Sequence, residues 1–220
     1  MKKTILSISI GLLLLTGCSK DNVDPQIEQR TGDAVYVFNN SGVDSTWESF
    51  ALDEFQNTNS NTGVTAPSAN RGNSAHTHGS LDAGGFTFNW SGTENNGGTH
   101  GEASVTLSLG PSLVLVSLET ACINVIGNEA VYGGAITEVE NDPFPPGFPG
   151  PFSIGNTMFF KVFDNGQGNN APADQFANTF VSTSNPEACD TLGQPDGEFW
   201  SGDAFPIADV LAPGSVKINN

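Results

Sequence analysis

The chain has 220 residues, with 24 Asp and Glu against 7 Lys and Arg and a formal net charge of −17 at pH 7. So acidic a chain repels phosphate backbones and anionic headgroups, which argues against nucleic acid and against electrostatic docking on a membrane. Only 14% of residues are charged and 15 Phe and 3 Trp supply core area, so the chain is a folder, while 26 Gly and 13 Pro favour short strands and turns over helices.

Met1, Lys2 and Lys3 open the chain with positive charge, Ile5 to Leu15 are mostly apolar, and Thr16 and Gly17 are small. A spanning helix needs roughly 20 apolar residues, so residues 1–17 read as a secretory signal. Leu15-Thr16-Gly17-Cys18 resembles the lipobox of bacterial lipoproteins. The likeness implies cleavage before Cys18 and acylation of its thiol, which anchors the chain stably once two or more acyl chains are attached. An ordinary signal peptide with a chance cysteine is the alternative. Ser19 to Asp24 is similar to the Lys/Asp-rich tag that exposes Bacteroidota-type lipoproteins on the outer face of the outer membrane, although Asn22 interrupts its acidic run. An anchor facing the periplasm is the competing address. Residues 18–32 are polar and aperiodic and read as a tether; residues 33–220 are then the globular domain.

Within that domain, "AVYVF" (34–38) is rich in β-formers, "GGFTFNW" (84–90) alternates Phe86, Phe88 and Trp90 with Thr87 and Asn89, and "EASVTLSL" (102–109) alternates apolar residues with hydroxyls. Such alternation marks half-buried antiparallel strands. "SLVLVSL" (112–118) and "ACINVI" (121–126) are more continuously apolar, as strands covered on both faces are. "NEAVYGGAITEV" (128–139), "NTMFFKVFD" (156–164) and "GSVKI" (214–218) complete the predicted strands. One helix is predicted, over "STWESFALDEF" (45–55), where Ser45 and Glu48 have the spacing of a capping box. Many short strands with Gly/Pro turns predict an all-β fold, an antiparallel β-sandwich or open barrel.

Between two of these strands, "NDPFPPGFPGPF" (141–152) is too proline-rich to pair centrally. It reads either as a lid packing Phe144, Phe148 and Phe152 onto the end of the sandwich, or as an exposed aromatic contact loop.

"CINVIGNEAVYGG" (122–134), "FKVFDNG" (160–166), "DQF" (174–176) and "EACD" (187–190) together resemble an uncharacterised family of small secreted bacterial β-domains. The likeness covers roughly residues 70–220 and implies a secreted all-β domain with no known activity. Its elements also have local reasons. Gly127-Asn128 suits a reversal that needs positive φ, and Gly133-Gly134 marks a bulge or a close backbone approach. Asp164-Asn165-Gly166 suits an Asx turn, with Asp174 capping the returning loop. A calcium site over Asp164, Asn165, Asn169, Asn170 and Asp174 is the alternative, although the EF-hand spacing is missing. With Cys18 lipidated, Cys122 and Cys189 remain as an even pair in an oxidising compartment, both matching cysteines of the family pattern, and a disulfide between them is expected.

Catalytic motifs are scarce, with no G-x-S-x-G, P-loop or H-E-x-x-H. The three histidines, His76, His78 and His100, fall close together, and on a strand His76 and His78 share one face. With Asp82, Glu94 or Glu102 nearby they suit Zn²⁺ or Cu²⁺; exposed surface histidines are the plainer reading. The functional expectation is a lipid-anchored, surface-exposed, non-catalytic module binding a glycan or an envelope partner, with Trp47, Trp90, Trp200, Phe144 and Phe148 as contact candidates. A histidine-based metal protein or metal-dependent hydrolase, and a structural envelope lipoprotein without a small ligand, are the alternatives.

Overall fold

A computed structural model of the chain describes residues 34–39, 46–51, 74–82, 86–109, 112–143, 150–167, 170–177, 179–185, 188–193, 195, 200, 207–210 and 215–219. Among them the strands are β1 (Ala34–Asn39), β2 (Thr46–Ala51), β3 (Ala75–Asp82), β4 (Phe86–Asn95), β5 (Gly98–Leu109) and β6 (Ser112–Ile126). They continue as β7 (Glu129–Glu140), β8 (Thr157–Phe163), β9 (Gln175–Ala177), β10 (Thr179–Thr183), β11 (Ile207–Val210) and β12 (Val216–Asn219), with one short helix, α1 (Ala188–Thr191). The main path of the sheet is β12-β3-β4-β5-β6-β7-β8-β10-β1-β2; β9 pairs with β8, and β11 with β9. The sheet is antiparallel and open, the architecture that the strand pattern predicts.

Alternation places the core. Phe86, Phe88 and Trp90 of β4, Ala103, Val105 and Leu107 of β5, and Val114, Val116 and Leu118 of β6 point inward and are buried. The sheet curls so that this face meets β7, β8 and β10. Phe88 stacks on Phe160 at 4.0 Å and Phe86 lies 4.4 Å from Phe180, centroid to centroid. Phe152, at the end of the Pro/Phe segment, is buried in the same core, as a lid requires; Phe144 and Phe148 lie outside the described residues.

Two expectations are corrected. Thr46–Ala51 is a strand paired with β1, Phe38 opposite Trp47 and Val35 opposite Phe50, so the capping-box spacing at 45–55 does not give a helix there. Edge pairing onto β1 outweighs a local propensity worth only tenths of a kcal/mol per residue. The two apolar runs at 112–118 and 121–126 form one strand, β6, running through the intervening residues.

β6 changes face along its length. The β6–β7 register shifts between Thr120 and Cys122, so Ala121 is an extra residue, a bulge that reverses alternation. Leu118 and Ile123 both reach the main core, while Cys122 is turned to the opposite face. There a second, smaller core lies over β7, β8, β10 and β1. Val131, Phe159, Val181 and Val35 are covered by Ala188 and Leu192 of the α1 segment and by Trp200. Cys122 is disulfide-bonded to Cys189 across 67 residues, with Cα atoms 6.0 Å apart, which pins α1 over this patch. Gly133 allows the approach, since a Cβ there would stand 2.6 Å from the Cys122 Sγ and 2.8 Å from the Phe159 ring.

Strand pairing does not join β12 to β8. Carboxylates tie β12 to the β8–β9 connection instead. Asp174, fully buried, accepts from Asn165 N at 2.9 Å and from Val216 N at 2.8 Å. Asp164 accepts from Gly166 N at 2.9 Å and from Ile218 N at 3.0 Å.

Candidate functional site

The outer face of β3 to β6 is bare of covering elements among the described residues, and the register sorts its side chains into rows. Asn89, Ser104 and Ser117 stand opposite one another across β4, β5 and β6, and the next row is Ser91, Glu102 and Glu119. These residues line an open depression of about 680 Å³. A second register shift, between Ser117 and Leu118, brings Thr137 of β7 to its rim, where the Thr137 hydroxyl donates to the Ser117 carbonyl at 3.2 Å. The depression therefore offers hydroxyls, an amide and two carboxylates. Glu102 and Glu119 are direct cross-strand neighbours of like charge, an arrangement that costs stability. The alternation of β5 against hydroxyls was the signal in the sequence; the alignment of three strands into rows was not visible there.

Trp90 and Trp200 act elsewhere. Trp90 is 4% exposed, stacks on Phe88 at 4.5 Å and donates its Nε1–H to the Thr77 hydroxyl at 3.1 Å. Trp200 is 6% exposed and donates to the Leu192 carbonyl at 2.8 Å. Neither offers a ring face as a contact platform: the inward phase of β4 buries Trp90, and the second core takes Trp200. Trp47 belongs to β2, but its side chain lies outside the described residues, as does Cys18.

The histidines divide. His76 Nε2 and His78 Nδ1 are 2.9 Å apart on the outer face of β3, and His76 Nδ1 is 2.8 Å from the Thr93 hydroxyl. His100 stands opposite Thr93 from the other side, on β5, and is exposed. Burial lowers the pKa of His78, with His76 and Lys217 adding to the effect by charge. Glu94 is engaged, accepting from Ile123 N at 3.0 Å. Among the described residues no three His, Cys, Asp or Glu side chains gather as a metal-holding group. At Asp164 and Asp174 all four carboxylate oxygens accept backbone N–H groups, the turn-and-cap arrangement rather than a set of oxygens turned toward a cation.

The chain matches no family model, no curated protein and no solved structure. Among the described residues no helix is long and apolar enough to cross a membrane.

Proposed function

We propose that this chain is a non-catalytic binding module, held by a lipid on Cys18 at the outer membrane and facing the cell exterior, whose open sheet face takes a hydroxyl-rich ligand such as a glycan. The depression over β4 to β7 carries the reading. It is open and lined by the amide of Asn89 and the hydroxyls of Ser91, Ser104 and Ser117 beside two carboxylates, groups that pair with sugar hydroxyls. Four of the other candidates are occupied within the fold: Trp90 and Trp200 are core residues, and Asp164 and Asp174 hold β12. The Leu15-to-Cys18 and Ser19-to-Asp24 likenesses support the address.

The test is retention of the full chain on insoluble polysaccharides, beside Ser104→Trp, which fills the depression from an exposed position. Retention by the parent and loss in the variant, with an unchanged urea midpoint, supports the reading. Equal retention of both moves the site elsewhere, and no retention on any polysaccharide favours a structural envelope role.

A further inference from the structure

We propose that His76 and His78 form a two-imidazole chelate for Cu²⁺ on the outer face of β3. Neither ring lines the depression, so the inference stands apart from the ligand reading above. The strand period puts both residues on one face, and Nε2 of His76 lies 2.9 Å from Nδ1 of His78. A hydrogen bond at that place needs one N–H and one lone pair, so the two nitrogens share a single proton. A metal ion takes that proton's place: the proton moves through solvent to the other nitrogen of the ring that held it, and both lone pairs serve the metal once each ring swings to aim its own at the ion.

The coordination geometry sets what the swing must achieve. Two metal–imidazole bonds of about 2.0–2.1 Å put their nitrogens about 2.9 Å apart at the right angle of a tetragonal Cu²⁺ site, against about 3.4 Å at the tetrahedral angle of Zn²⁺. The present 2.9 Å is the length of a hydrogen bond and does not choose between them; Cu²⁺ is favoured because it binds imidazole most tightly among the divalent first-row ions. The Thr93 hydroxyl, 2.8 Å from His76 Nδ1, orients the ring. When Nδ1–H is the donor in that contact, the lone pair sits on Nε2, the ligand atom.

The surrounding charges act in both directions. On β12, Lys217 stands opposite His78 and opposes a cation. On β4 the facing residues are the neutral Thr93 and Ser91, and one strand further, on β5, stand His100 and Glu102. The chain supplies two ligands, and water completes the coordination.

The full chain, purified in detergent and stripped with chelator, is titrated with Cu²⁺ alone by calorimetry, and the copper signal is read by electron paramagnetic resonance. One Cu²⁺ per chain with two coupled nitrogens is expected. His76→Ala and His78→Ala should each weaken binding at least about tenfold, while His100→Ala changes it less than about twofold. Lys217→Gln should tighten it about two- to threefold by removing the facing charge. The nitrogen count on the parent decides the matter even where a variant folds poorly. No saturable binding, a count other than two, or a folded His76→Ala or His78→Ala variant that binds as tightly as the parent overturns the proposal.

Discussion

The carboxylate of Asp174 accepts the backbone N–H of Val216 at 2.8 Å, across 42 residues of sequence, and so fastens the last described strand to the β8–β9 connection. Its other oxygen holds Asn165 N, and Asp174 itself has no exposed surface. Asp174→Ala leaves two donors without this acceptor. Hydrogen bonds to a charged group contribute about 1.5–3 kcal/mol each, so a loss of about 3–6 kcal/mol is expected in urea unfolding. Faster hydrogen exchange at Val216 and Ile218 of β12 than along β3 should accompany it. Unchanged exchange there would mean that the carboxylates do not hold β12.

The Cys122–Cys189 bond should be complete in the purified protein. Alkylation without reductant, followed by intact-mass measurement, is expected to label neither thiol. By loop entropy, a bridge across 67 residues contributes about 4 kcal/mol. Cys189→Ser should therefore lower stability by about that amount and expose the segment around α1 to protease first, since a four-residue helix does not persist alone.

Trp90→Phe keeps the stack on Phe88 but removes the donor to Thr77, whose side chain has no exposed surface. A cost of about 1–3 kcal/mol is expected for the orphaned hydroxyl. Trp90→Phe combined with Thr77→Val should recover most of it, because no polar group is then left unpaired. A double variant no more stable than Trp90→Phe would show that the cost lies in packing.

Stability should decline at both ends of the pH scale for separate reasons. Burial, with His76 and Lys217, lowers the pKa of His78 below 6.5, so below that pH the unfolded chain binds a proton that the folded chain resists. Stability is then lost as pH falls from 6.5 through the folded value, and His78→Gln should flatten the slope. At the alkaline end, burial chiefly, with Glu102 adding, pushes Tyr132 up to about 12 against the opposing effect of its hydrogen bond to Thr120. The unfolded chain releases this proton near 10 while the folded chain keeps it, so stability falls as pH rises from 10 through about 12. Tyrosinate absorbance measured beside unfolding should show Tyr36, raised by burial too, and Tyr132 both resisting ionisation near 10 in the folded chain.

The address can be tested without the fold. Cys18→Ser should leave the precursor uncleaved by lipoprotein signal peptidase and without acyl label, and protease added to intact cells should digest the parent domain. Detergent partitioning of a cleaved Cys18→Ser protein would refute the anchor. Digestion only after outer-membrane permeabilisation would place the domain on the periplasmic side.

Local periodicity was enough to determine the all-β class, the inward phase of β4 and β5, and the reversal at Gly127-Asn128, where Gly127 takes a φ of 63°. A period of two residues and the conformational freedom of glycine are properties of neighbouring residues and can be read from them. The likeness of Leu15 to Cys18 to a lipobox is likewise a linear pattern. What the tertiary structure decided depends on register and closure, which join residues far apart in sequence. The bulge at Ala121 turns Cys122 onto the face where Cys189 waits, although uninterrupted alternation from Leu118 would have pointed it into the main core. The same face takes Trp200 as core, and the inward phase of β4 takes Trp90, so two apparent contact residues became packing. His76 and His78 were legible as a pair from their spacing, but the separation of His100 required the position of β5 across β4. The polar depression exists only because three strands align Asn89 with Ser104 and Ser117, and Ser91 with Glu102 and Glu119. Each strand carries its own alternation, but pairing decides which polar residues become neighbours.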